Sequence, residues 1–308
     1  MNAPDVPPLP VLGGHPGLTE RAASWTRSPA RRLELTAGLA LLYFCTGKAG
    51  LALATVNPSA SAVWPPTGLA IAALLLFGPA LWPGILAGAF AVNATSAGTL
   101  ATSLGVACGN TLEAVVAASL VARLARGRHA FERSADVFRY ALFSGGSALI
   151  SATLGVTSLA AREFVPWASY GQVWTTWWLG DVVSAWVLTP FVLEWCNRSD
   201  DGLERGRLAE LAALFACLLA VVGLAFFAEP LAAGTRRNPF TFLGLPPLVW
   251  ASFRFPRRMV ASATLLLAAA AVLMTFQGYG PFTSEDKHMT LLFLQSFMGV
   301  VAITALAV

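Results

Sequence analysis

The chain has 308 residues, of which 56% are hydrophobic and only 12% charged, with a formal net charge of +4 and a mean hydropathy of +0.65. A soluble globular domain carries roughly 25% charged residues, so this chain has too little charge to coat a surface facing water. The bilayer is its expected solvent, and the basic balance needs no nucleic-acid partner to explain it.

Residues 1–32 hold six prolines, three glycines and four arginines with little apolar periodicity, which predicts a flexible cytoplasmic tail. A secretory signal is not expected, because the apolar segment starts late, runs long and lacks a small-residue cleavage site. From Leu33 onward apolar runs alternate with short polar breaks. They fall at 33–55, 66–81, 82–98, 100–124, 136–160, 170–195, 208–228, 239–253, 258–277 and 289–308. A membrane helix takes about 20 residues, so the second, third and eighth runs are short enough to be half-helices or re-entrant segments. The expected fold class is all-α: a polytopic integral-membrane bundle of eight to ten helices, ten favoured, filling residues 33–308.

Charge asymmetry sets the orientation. Arginines gather in the tail (Arg21, Arg27, Arg31, Arg32) and between the fourth and fifth runs (Arg123, Arg126, Arg128, Arg133, Arg139). More follow the sixth run (Arg198, Arg205, Arg207) and the eighth (Arg254, Arg257, Arg258). With ten spans all four groups share one side and hold 15 of the 20 basic residues, so both termini are expected in the cytoplasm. Pro65-Pro66 before a run ending in Phe77-Gly78-Pro79, and Pro246-Pro247 before one ending in Phe255-Pro256-Arg257, hint at an internal repeat. The lengths between them differ.

Little in the chain suggests soluble-type enzyme chemistry. Cys45, Cys108, Cys196 and Cys217 have no C-x-x-C spacing, and His15, His129 and His288 fall in tails or loops. Buried inert thiols are expected, with neither a disulfide framework nor a metal site, and no cofactor motif or catalytic residue is found. Gly84 and Gly88 have the small-xxx-small spacing of closely packed membrane helices.

The residues that membrane depth makes expensive are Lys48, Glu113 and Asp181, joined by the amides Asn93 and Asn110. Asn110 and Glu113 are three apart and share a helix face. Two readings stand: hydrogen-bonding glue between helices, or a polar cavity where Glu113, Asp181 and Lys48 converge on a ligand, an ion or a proton. Trp167 and Trp174 fit interface anchors, whereas Trp177 and Trp178 lie beside Asp181 and fit a cavity lining. Trp64, Pro65, Pro66, Thr67 and Gly68 open the second run at its outer end. Prolines are tolerated in a first helical turn, and the free N–H groups there are expected to face the outer mouth. The expectation is a rigid rim over a cavity floored by Glu113 and Asp181.

Seven segments together resemble the first type of membrane-associated sensor domain (the MASE family). They are WPPTGLAIAALLLFG (64–78), WPGILAGAFAVN (82–93), GNTLEA (109–114), WWLGDVVSAWVLTPFVLEW (177–195), PPLVWASFRF (246–255), GYGPF (278–282) and LLFLQSFMGVVAITALAV (291–308). The resemblance covers roughly residues 35–308; Ser184 departs from it, standing where a glycine is expected. It implies a sensory module in a bacterial inner membrane, ahead of a cytoplasmic histidine kinase, diguanylate cyclase or phosphodiesterase that does the catalysis. The hexose-phosphate sensor kinases of enteric bacteria look similar in their membrane part. Because the sequence ends at Val308 on an apolar run, a fragment cut before an output domain is expected, and no enzymatic activity of its own. Its expected partners are the lipid bilayer, an unknown small ligand or ion, a partner membrane protein, and a second copy joined through the output region. A small transporter or channel using the midplane carboxylates, and a scaffold docking another membrane protein, are the alternatives.

Overall fold

The computed structural model describes residues 28–52, 54–57, 60–96, 98–197, 205–227 and 239–308. Among them the elements run α1 (Pro29–Leu51), β1 (Ala54–Asn57), β2 (Ala60–Ser61), α2 (Pro65–Phe77), α3 (Trp82–Ala94), α4 (Leu100–Leu124) and α5 (Ser134–Ala160). They continue with α6 (Tyr170–Cys196), α7 (Arg205–Phe227), α8 (Leu245–Arg254), α9 (Arg257–Phe276) and α10 (Lys287–Ala307). The two short strands pair antiparallel, a small hairpin within an otherwise helical fold. The proposed tail, apart from its last residues, and the 229–238 loop lie outside the described residues.

Local sequence explains where the helices begin and end. Pro65 and Pro66 occupy the first turn of α2, where a missing N–H breaks no intrahelical bond. The helix stops at Gly78, whose φ of 92° lies in the region that favours glycine, and Pro79 follows. At α4, Thr99 and Thr102 cap each other's backbone N–H groups. Asp286 accepts the His288 N–H at the start of α10.

Among the described residues, six helical segments are long and apolar enough to cross a membrane: α4, α5, Trp167–Cys196, Arg207–Phe226, α9 and α10. α1 has 23 residues but carries Arg31, Arg32, Glu34 and Lys48, and it is not one of the six. α2 and α3 have 13 residues each. At 1.5 Å per residue each is about 20 Å long, short of a hydrocarbon core of about 30 Å.

The burial pattern is reversed from that of a soluble bundle. Leu104, Leu112, Leu142, Leu219, Leu273 and Val300 are exposed, while Asn110, Glu113, Ser144, Ser151, Asp181 and Gln295 are buried. Water would penalise such an apolar exterior, and hydrocarbon does not. The chain is a multi-pass membrane protein. The same reversal corrects the reading of the thiols: Cys45, Cys108, Cys196 and Cys217 are all exposed rather than buried. On an apolar helix a small hydrophobic thiol sits as well against lipid as in a core.

α6 is the shared wall of the bundle. Its Ala185 and Leu193 belong to one apolar core with Tyr43, Ile71, Ile85 and Tyr140 of α1 to α5. Its Val183 and Val187 belong to a second core with Leu218, Leu248, Leu267 and Leu294 of α7 to α10. α3 packs on α1 through Gly84 and Gly88, where an added Cβ would lie 2.5 Å from the Thr36 carbonyl oxygen and 2.7 Å from that of Ala40. That is the close approach their spacing predicts.

One end of the bundle collects the arginines. The Asn197 amide at the end of α6 donates to the Arg128 carbonyl at 3.0 Å, and Arg257 at the start of α9 donates to the Glu132 carbonyl at 2.9 Å. Arg32 at the start of α1 reaches Ala80 between α2 and α3 at 3.4 Å. Glu132 also pairs with Arg126 and His129 at 3.0 and 2.6 Å. Partial burial pushes its carboxyl up, but the bond to His129 and the charges of Arg126 and Arg257 outweigh it and hold the group below the ordinary glutamate range.

Candidate functional site

Near the middle of the bundle, polar side chains from α2, α4, α5 and α6 meet around Asp181. Thr67, third residue of α2, donates its hydroxyl to Asp181 Oδ1 at 2.9 Å. Ser151 Oγ of α5 lies 3.0 Å from Asp181 Oδ2 and 2.7 Å from Asn110 Oδ1 of α4, and it accepts the Trp177 indole N–H at 3.1 Å. A serine hydroxyl carries one proton, so two acceptor oxygens share what only one can hold. Asp181 is fully buried.

Glu113, one helical turn beyond Asn110, is 1% exposed, yet neither carboxyl oxygen has a hydrogen-bond partner. The Asn110 amide nitrogen is likewise buried and unpartnered. The Asp181 carboxylate and the Ser151 and Thr67 hydroxyls are polar neighbours of Glu113, but none meets hydrogen-bond geometry at either of its carboxyl oxygens. The buried Tyr43 hydroxyl of α1 faces the same group and accepts the Trp64 indole N–H at 3.3 Å. Unsatisfied polar atoms in a low-dielectric interior cost several kcal/mol each, so this arrangement is expensive.

The segment Trp64 to Gly68 docks onto α6 as well. The Trp64 N–H donates to the Gly180 carbonyl at 3.2 Å and the Thr67 N–H to the Trp64 carbonyl at 3.1 Å. The Gly68 N–H donates to Ser184 Oγ at 3.1 Å, and Thr189 donates back to the Gly68 carbonyl at 2.9 Å. Pro65 and Pro66 have no N–H to offer. The expected free N–H groups at an outer mouth are therefore not there: Thr67 and Gly68 spend theirs on Trp64 and α6. Gly68 is required by contact, since a Cβ there would stand 2.4 Å from the Ser184 carbonyl oxygen.

Of the residues singled out from sequence, the structure brings together Thr67, Asn110, Glu113, Trp177 and Asp181, with Trp64, Pro65, Pro66 and Gly68 holding α2 against them. Lys48 does not join them. It donates to the Thr95 carbonyl at 2.8 Å and to Ser96 Oγ at 2.9 Å, capping the carboxyl end of α3, where a cation is favoured. Asn93 turns onto its own helix and donates to the Ala89 carbonyl at 2.8 Å. Trp178 donates to the Gly145 carbonyl at 2.9 Å and stacks on Trp174, away from the carboxylates.

Four participants escaped the sequence reading: Tyr43, Ser151, Thr189 and Gln295. Ser151 had a signal, because Ser144, Ser147 and Ser151 form a stripe at helical spacing along an apolar run. Gln295 was the lone amide of α10. Its fully buried Nε2 donates to the Ala62 carbonyl at 3.0 Å and the Thr176 carbonyl at 2.9 Å, tying α10 to the segment before α2 and to α6. Two open clefts, of about 220 and 300 Å³, are lined by other residues: one by Thr275, Thr283 and Lys287, the other by Glu194, Asn197 and Arg257.

The family model MASE1 matches residues 35–308, nearly the whole chain. No curated protein and no solved structure matches it.

Proposed function

Since the chain belongs to the MASE1 family, whose members are membrane sensory domains and not themselves catalysts, we propose that residues 33–308 are the signal-input module of a bacterial inner-membrane signalling protein. The signal acts at the core where Asp181 joins α2, α5 and α6, and α10 carries the response toward a cytoplasmic kinase or cyclic-di-GMP output domain. One observation carries this reading. The hydrogen-bonded group around Asp181 and the Gln295 contacts of α10 both rest on the Trp177 region of α6 and on the segment leading into α2. A change at the carboxylates therefore has a short mechanical route to the last helix. A ligand moves such an equilibrium only through different affinities for the two arrangements.

The arginine-rich end supports placing both termini in the cytoplasm, with eight to ten crossings, ten favoured, counting the short α2, α3 and α8. The ligand-facing residues on this reading are Thr67, Asn110, Glu113, Trp177 and Asp181. Trp64, Pro65, Pro66 and Gly68 hold α2 in place, and Lys48, Asn93 and Trp178 support the surrounding helices. A homodimer through the output region is the expected assembly.

The test is a fusion of the chain to a diguanylate cyclase or kinase reporter. Asp181→Asn and Glu113→Gln are expected to lock output at one level while the protein still inserts. Output that follows the wild type in both variants overturns the reading.

A further inference from the structure

We propose that Glu113 binds one monovalent cation, a proton or a sodium ion, held between its carboxyl oxygens and the hydroxyl oxygens of Thr67 and Ser151. The proposal names the ligand class of the core described above and rests on the receptor reading only for its consequence, not for the binding itself.

Hydrogen-bond counting leads to it. Asp181 has a hydroxyl at each oxygen, Thr67 at 2.9 Å and Ser151 at 3.0 Å. Glu113 has none, and it is buried. Ser151 is already shared between Asp181 and Asn110 Oδ1, so the group holds more acceptors than protons. A hydroxyl that donates to Asp181 still presents lone pairs on its other side. Those lone pairs, with two free carboxylate oxygens, make an all-oxygen site of the kind hard cations take. A proton on Glu113 uses the same lone pairs as acceptors. The hydroxyls on Asp181 stabilise its carboxylate without cancelling the charge, while one positive charge at Glu113 balances the one carboxylate that has no donor.

Among the described residues no protein cation fills this place. Tyr43 of α1 faces the cluster as a hydroxyl, and Lys48 is held at Thr95 and Ser96. Arg31, Arg32, Glu34 and Cys45 of α1, Cys108 and Arg123 of α4 and Cys196 of α6 are exposed, Tyr170 bonds Thr157, and Glu194 lines the cleft with Asn197. α2 and α3 carry no titratable residue. On α5, Tyr140 donates to the Ala185 carbonyl, while Asp136 and Arg139 pair with each other. On α10, His288 bonds Thr176 and Lys287 lines the cleft beside Thr275. The site is also narrow. The α6 backbone closes on α2 at Gly68, where an added Cβ would lie 2.4 Å from the Ser184 carbonyl oxygen, and the Trp177 ring closes on α5 at Gly155, where an added Cβ would lie 2.9 Å from the ring. An ion fits such a space far better than an organic solute.

The experiment uses the full chain in lipid nanodiscs. Thermal unfolding is followed in sodium chloride, potassium chloride and choline chloride at equal ionic strength between pH 5 and pH 8. If sodium is the occupant, it raises the melting temperature over choline at pH 8, and the sodium midpoint rises up to about tenfold for each pH unit of acidification as protons compete. Glu113→Gln abolishes the effect. If the proton is the occupant, sodium does nothing, and infrared difference spectra of the wild type show a protonated-carboxyl band that Glu113→Gln removes. Should Glu113→Gln fail to fold, Glu113→Asp keeps the carboxylate on a shorter arm and is expected to weaken the sodium effect or shift the carboxyl band, and a variant indistinguishable from the wild type counts against the proposal. Absence of both the sodium effect and the Glu113 carboxyl band overturns the proposal. No output domain is involved, so a protein that binds without signalling contradicts the receptor reading alone. One that signals through Glu113 without either signature contradicts this proposal alone.

Discussion

Thr67 and Asp181 are 114 residues apart in sequence and 2.9 Å apart in the fold, the threonine hydroxyl donating to a fully buried carboxylate oxygen. This contact fixes the short helix α2 against the middle of the long helix α6, where a buried charge is expensive. Thr67→Val keeps the volume and removes the donor. A loss of about 1–2 kcal/mol is expected, the range for a hydrogen bond to a charged group tempered by what interhelical bonds yield in membranes. Thr67→Ser retains most of it. Equilibrium unfolding in mixed micelles measures both, and equal stability of the two variants counts against the contact.

Gly68 gives a steric prediction. Its added Cβ meets the Ser184 backbone oxygen at 2.4 Å, and backbone cannot rotate away as a side-chain tip can. Gly68→Ala should destabilise by about 1–3 kcal/mol, the usual cost of overpacking. Gly38→Ala on the exposed face of α1, with nothing within 4 Å, should be neutral or slightly favourable because alanine is the better helix former. Melting temperatures of the pair decide the matter, and a tolerant Gly68→Ala would mean that α2 stands farther from α6 than described.

Much of this fold was legible in the sequence. Each of the ten apolar runs corresponds to a helix, because hydrocarbon length and Gly/Pro breaks are local signals. Asp181, Glu113 and Asn110 were legible by cost alone. Their partners were less so: Ser151, Thr189 and Tyr43 are ordinary residues in membrane helices, and only the packing of α5, α6 and α1 gives them a role. Lys48 looked like a core charge because its place in the run was read without the neighbouring carboxyl end of α3. Gly68 and the prolines read as a helix start, which they are. The hydroxyl of Ser184, at a position where the family resemblance predicts glycine, is what turns that start into a docking point.

Gln295 tests the coupling separately from the input site. Gln295→Leu removes both donors to the Ala62 and Thr176 carbonyls while keeping an apolar α10. In a reporter fusion this should shift basal output and weaken its dependence on the input site. Infrared or melting signatures of Glu113 should stay as in the wild type. Loss of those signatures together with output would place Gln295 inside the binding core instead.

The arginine-rich end carries a pH prediction. Glu132 is held below the ordinary glutamate range, so it binds its proton more readily in the unfolded chain than in the folded one. Its contribution is fully present above the unfolded pKa of about 4.3 and is lost as pH falls through the lower folded value. Below about pH 5 the difference in melting temperature between wild type and Glu132→Gln should therefore close as Glu132 takes up its proton. A gap that widens below about pH 5 reverses the sign and contradicts the assignment.

The most direct test of the whole account is a distance. Spin labels are placed at Leu124, at the end of α4, and at Val308, after α10, both exposed, with the four exposed native cysteines replaced. Pulsed electron resonance then compares wild type with Glu113→Gln in nanodiscs. If charge at Glu113 sets the position of α10, the two distance distributions differ in their populations or mean. Superimposable distributions, in a protein that inserts and melts like the wild type, contradict the claim that the carboxylate core drives the last helix.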